Sequence, residues 1–183
     1  MKRNTVTRVF SALIAIVLLF VSCGASGSIT VSPGAKAYPA AEAVMNALGE
    51  TMFPGSAILY AEAESEYDRI DPSVASMYLG SGTDDIDMTK IVDYAMSSPA
   101  YATASQFGII RAASAEDTAI IQTWLKNRSV RVAGEFSSYL PEEEAIAKGW
   151  EVRIAGEFVY YAATSDNQTV FDVIEKSLTG TES

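Results

Sequence analysis

The sequence has no histidine and a single cysteine, Cys23. Without histidine, neither a Ser-His-Asp triad nor an imidazole-ligated metal site can be built. A lone cysteine cannot close a disulfide within the chain or form a cysteine-rich zinc site. Glycine-rich phosphate loops are missing as well: neither the Walker pattern nor the dinucleotide pattern occurs. No cofactor or metal is therefore expected. Basic residues are scarce, with 13 Lys+Arg against 23 Asp+Glu and a net charge of −10. Such a surface repels polyanions at long range, so nucleic acid is not an expected partner. It also keeps a domain dispersed in water.

One apolar stretch stands out, Val9 to Val21, preceded by Lys2, Arg3 and Arg8. It contains Ser11 and falls short of the ~20 apolar residues a spanning helix needs. Its close reads Phe20-Val21-Ser22-Cys23-Gly24. A basic start, a short greasy middle and small residues before a cleavage point describe an export signal. The segment resembles the signal of bacterial lipoproteins, in which a peptidase cuts before a cysteine that receives lipid. Val21, Ser22 and Cys23 fit that pattern; Phe20 stands where leucine is usual. The resemblance implies a signal over residues 1–22 and a lipidated Cys23. The protein would then be held on the outer face of the cytoplasmic membrane by acyl chains such as palmitate. Each buried acyl methylene contributes ~0.8 kcal/mol to such an anchor. Ordinary secretion, with cleavage a few residues later and no lipid, is the alternative. Removal of residues 1–22 leaves 10 basic and 23 acidic residues, net −13.

Apolar residues make up 49% of the chain, a folded rather than a disordered composition. Residues 23–36, rich in Gly, Ala and Ser and carrying Pro33-Gly34, read as a flexible tether. Residues 37–183 are long enough for one domain with a proper core. A first helix is expected over Pro39–Glu50. Gly55–Glu66 is ambiguous between strand and helix, and Asp71-Pro72 starts a short helix that stops at Gly80. Strands are expected at Met88–Met96 and Phe107–Ala112, the second apolar on both faces and so interior. Ser114 to Asp117 resembles a capping box. It opens a helix whose stripe runs through Ile120, Ile121, Trp124, Leu125, Arg128, Val132, Phe136 and Tyr139, with Pro141 as its stop. A hairpin over Glu151–Thr164 and a last helix capped by Asp166 or Asn167 complete the chain. The expected fold is α+β in two layers. A small, mainly antiparallel four-stranded sheet carries helices on one face, in the order α-α-β-β-α-β-β-α.

Arg128, Phe136, Tyr139 and Pro141, then Gly156-Glu157-Phe158-Val159, preceded by the strand Phe107 to Ala112, resemble a family of bacterial lipoproteins built on a domain of unknown function. The likeness is best over residues 88–178. Val132 stands where that family has Gln. The resemblance implies the lipoprotein address and the fold order, and it brings no catalytic residues.

Few residues invite chemistry. The run Asp84-Asp85-Ile86-Asp87 lacks the spacing, turn glycine and bidentate Glu of a calcium loop and reads as solvated. Glu142 to Glu144 place negative charge at the start of a short helix. Of Tyr160 and Tyr161, one is expected in the core and one outward. Arg128 is the residue to watch, a guanidinium on an apolar stripe that needs a partner. Either its stem packs and its head pairs at the stripe's edge, or it grips an anion in a cleft with the Tyr139 hydroxyl nearby. The leading expectation is a non-catalytic binding or interaction module of the cell envelope. It would meet the membrane through lipid on Cys23 and recognise a peptide, a wall component or another envelope protein. A carboxylate-based hydrolase of envelope polymers is the alternative, and two acids converging in one pocket would favour it.

Overall fold

The computed structural model describes residues 29–180; the expected export signal, Cys23 and the start of the expected tether lie outside the described residues. In chain order the elements are α1 (Ala37–Met52), β1 (Ala57–Tyr60), α2 (Ala75–Leu79), β2 (Ile91–Ser98), β3 (Gln106–Ala112), α3 (Ala115–Phe136), α4 (Pro141–Lys148), β4 (Glu151–Ala155), β5 (Phe158–Ala163) and α5 (Asn167–Thr179). The α+β class stands. The sheet has five strands rather than four, ordered β1-β2-β3-β5-β4, with every neighbouring pair antiparallel. The added strand is β1. The ambiguous segment resolves as extended chain because Ala57 to Tyr60 pair with Ser98 to Ala95 of β2. The element order therefore gains a strand after α1 and a helix, α4, before β4.

Helices cover both faces of this sheet, not one. The alternation of β3 explains why. Phe107 and Ile109 point into a core with Val44 of α1 and Val170, Phe171 and Ile174 of α5. Ile110 and Ala112 point the other way, against Leu79 of α2 and Ile121, Trp124 and Leu125 of α3. A strand apolar on both faces is stable only when both are covered. The same geometry corrects the reading of Tyr160 and Tyr161. Their side chains do lie on opposite faces, yet both are buried, at 1% and 0% exposure. Tyr160 packs edge-on to Phe171, and Tyr161 stacks on Trp150 at 4.5 Å between centroids.

The antiparallel order gives the domain two poles. β3 runs from Gln106, opposite Ala163, to Arg111, opposite Phe158. The β2–β3 connection, the end of α3 and all of α4 gather at the Gln106 pole. The β4–β5 turn at Gly156 and the end of α5 lie at the other. The described end of the tether docks at this second pole. Ser32 donates its N–H to the Leu178 carbonyl at 2.8 Å and its hydroxyl to the Thr179 carbonyl. Ile29 and Val31 pack on the α1–α5 core. α1 has no side-chain cap of its own, and Asp93 of β2 accepts the Ala37 N–H at 2.8 Å instead.

Asp carboxylates hold several helix and turn starts. Asp71, Asp87 and Asp166 accept N–H groups from Ser73, Thr89 and Thr169. Asp117 pairs with Lys90 at 2.9 Å and with the Ser114 hydroxyl at 2.7 Å. These bonds hold all four carboxyls below the ordinary value: backbone N–H donation leads at Asp71, the Thr89 and Thr169 hydroxyls lead at Asp87 and Asp166, and Lys90 leads at Asp117. A carboxyl depressed in the folded state contributes stability that is present above its unfolded value of ~3.9. That contribution is lost as pH falls through the folded value. Urea midpoints are thus expected to fall as pH drops from about 5 toward 2, and Asp117→Asn is expected to flatten that fall. A midpoint equally acid-sensitive with and without Asp117 would remove its share of the effect.

Candidate functional site

Four pieces of chain meet at the Gln106 pole and leave a cleft of about 420 Å³ between them. They are the end of α2 at Met77 and Tyr78, the β2–β3 connection from Pro99 to Thr103, the first residue of β3, and the last two turns of α3 with Tyr139 beyond. Local chemistry fixes each wall. Glu143 of α4 clamps the connection, accepting the Ala104 N–H at 2.6 Å and the Thr103 hydroxyl at 3.1 Å. Asp84 ties the loop after α2 to α3, accepting from the Ser81 N–H at 2.7 Å and from the Asn127 amide at 3.2 Å. That aspartate fastens a loop rather than lying free; Asp85 and Asp87 are exposed, as expected. Glu142 to Glu144 occupy the first turn of α4, where their charge suits the helix.

Arg128 forms the floor and is 8% exposed. It is paired, but to neutral acceptors. One terminal nitrogen donates to the Met77 carbonyl and the other to Oε1 of Gln106 at 2.6 Å. Its Nε, the neighbouring Tyr161 hydroxyl and the Trp150 indole nitrogen are buried without a well-aligned hydrogen-bond partner among the described residues, with Arg128 and Tyr161 facing each other. The Trp150 ring lies 6.0 Å from the guanidinium carbon. Burial pulls the guanidinium below its ordinary value, opposed by Tyr161 beside it and reinforced by the charge of Arg131. Burial likewise pushes the Tyr161 hydroxyl up, against the pull of Arg128. Arg131, one turn further along α3, donates to the same Met77 carbonyl at 2.6 Å and pairs with Glu135.

Tyr139 does reach this cleft, though not from the helix. α3 ends at Phe136, and Tyr139 follows in the next turn, 59% exposed, its ring 5.9 Å from that of Phe136. Pro141 keeps the helix from continuing through Leu140, whose backbone lies outside the helical region at φ −134° and ψ 80°. Gln106, Arg131, Tyr101 and Trp150 complete the surroundings and were not singled out in the sequence. Arg131 was findable, three residues from Arg128 and so on the same side of the helix. Gln106 and Trp150 carry no local signal.

A second, larger hollow of about 660 Å³ is lined by Glu66, Arg69 and Asp71 among others. Its Asp71 is committed to Ser73. The Arg128 cleft is lined, among the described residues, by a single carboxylate, Glu135. Among the described residues no group of three or more Cys, Asp or Glu is placed to hold a metal ion. No described helix is long and apolar enough to cross a membrane.

An arginine-floored cleft at one pole of a helix-covered antiparallel sheet is thus the feature that sets this α+β domain apart. Residues 84–164, which supply most of its walls, match the family described as Domain of unknown function (DUF4358). That stretch of the chain is similar to this family, and it overlaps residues 88–178, where the likeness to a lipoprotein family built on a domain of unknown function was read from the sequence. No curated protein and no solved structure matches the chain.

Proposed function

We propose that this protein is a lipid-anchored binding module of the cell envelope, with the Arg128 cleft as its ligand seat. The observation that carries the reading is the buried guanidinium paired only to neutral oxygens on the floor of an open cleft. A cation kept so far from water without a counter-charge is costly for folding alone. Such a cost is typical of sites arranged for a ligand. The hydrolase alternative gains no support from the cleft, whose Glu135 is already engaged by Arg131. The acidic surface argues against nucleic acid.

The two poles give the module a direction. With lipid on Cys23, the chain from Cys23 to the docked Ile29 spans at most roughly 20 Å when extended. The pole of Gly156 and Gly180 then faces the bilayer, and the cleft opens away from it, toward partners outside the membrane. The wild-type chain is expected to fractionate with membranes and Cys23→Ala to be released. Equal retention of both would remove the anchor. In vesicles carrying the lipidated protein, a fluorophore at Glu157→Cys is expected to be dimmed by a bilayer-embedded quencher more than one at Tyr101→Cys. Equal dimming would remove the orientation.

A further inference from the structure

Resting on the binding-module reading, we infer that the cleft takes a ligand bearing a free carboxylate, seated on Arg128 with its body against Tyr101 and Tyr139. Charge selects the class. The ionic side chains lining the cleft are Arg128, Arg131 and Glu135, and Glu135 is spent on Arg131. One positive charge is left over, and it belongs to the residue buried beyond nine-tenths. One surplus charge matches a monoanion, whereas a dianion would bring an unmatched negative charge into a protein of net −10.

Donor geometry points the same way. A guanidinium has five N–H donors in a rigid fork. Here Arg128 spends one N–H on the Met77 carbonyl and one on Gln106, which leaves a second N–H on each terminal nitrogen, while its Nε is buried beside Tyr161. A planar carboxylate matches such a fork better than a lone point acceptor does. The Gln106 amide donates back to the Ala104 carbonyl at 3.3 Å, which keeps its oxygen turned toward Arg128 and holds the fork in place. The cleft volume of about 420 Å³ suits a small acid or the last residues of a peptide. Tyr101 and Tyr139, 71% and 59% exposed, offer flat faces at its rim.

The test uses the full chain in non-ionic detergent with four probes: N-acetyl-alanyl-alanine, its C-terminal amide, propionate and inorganic phosphate. Binding is read by calorimetry and by tryptophan fluorescence, since Trp150 adjoins the floor. The peptide acid is expected to bind at least about tenfold tighter than the amide, because only the acid makes charge-assisted bonds. Arg128→Lys is expected to lose about tenfold or more of that affinity, since an ammonium cannot replace the fork. The acid-to-amide ratio on the unaltered chain needs no variant to fold. Propionate matching the peptide acid would mark a free organic acid as the source, and a clear preference for the peptide would mark a chain terminus; both support the class. Equal binding of acid and amide, or phosphate binding tighter than either acid, overturns the carboxylate while leaving a binding cleft. No response to any of the four probes overturns both.

Discussion

Gly108→Val is expected to cost about 3 kcal/mol or more in folding stability, the upper end of what overpacking does in a core. Gly108 lies in the central strand, directly opposite Met96 on one neighbour and Tyr161 on the other. A Cβ at this position would overlap the Tyr161 ring and lie 3.0 Å from the Met96 Cβ. The ring has nowhere to retreat, because Trp150 stacks on it at 4.5 Å with the planes within 6°. Close backbone approach is the reason for glycine in a strand interior otherwise hostile to it. Tyr161 also adjoins Arg128, so displacement of the ring should disturb the cleft floor as well. Urea unfolding of Gly108→Ala and Gly108→Val measures the series. A loss below about 1 kcal/mol for valine would mean that the Tyr161–Trp150 stack yields easily.

The same residues show what a sequence can carry. Periodicity located β3, α3 and α5, because alternation and a helical stripe are local properties. The double-sided apolarity of Phe107, Ile109 and Ile110 was also legible, and it already demanded cover on both faces. Its consequence for Tyr160 and Tyr161 depends on helices far away in the chain, and there the two-layer expectation failed. β1 was ambiguous for the same reason: four residues become a strand through the hydrogen bonds that β2 offers them. The site follows this division. Arg128 could be singled out because a charge on an apolar stripe is a local contradiction. Its partners could not be read. The Met77 carbonyl comes from 51 residues earlier and the Gln106 amide from 22. Neither a backbone oxygen nor an isolated glutamine announces itself in a sequence. Tyr139 reached the cleft despite the early end of α3, since a turn continued the chain along the same wall.

Trp150→Ala is expected to be about as damaging as the glycine change, costing roughly 3–5 kcal/mol, whereas Trp150→Phe should cost clearly less. Trp150 joins two apolar clusters, the one under α2 and α3 and the smaller one between α3 and α4. Its ring closes the stack over Tyr161 and stands near the Arg128 guanidinium. Alanine would open a cavity between three elements and expose the interior of the cleft floor. Phenylalanine retains a ring on the Tyr161 face. It also deletes an indole N–H that has no acceptor, so no hydrogen bond is lost to offset the smaller area. The ratio of the two losses is therefore informative. If phenylalanine proved as costly as alanine, the indole nitrogen would have to hold a partner in solution. The floor of the cleft would then be a wired polar network rather than a guanidinium resting on aromatic faces.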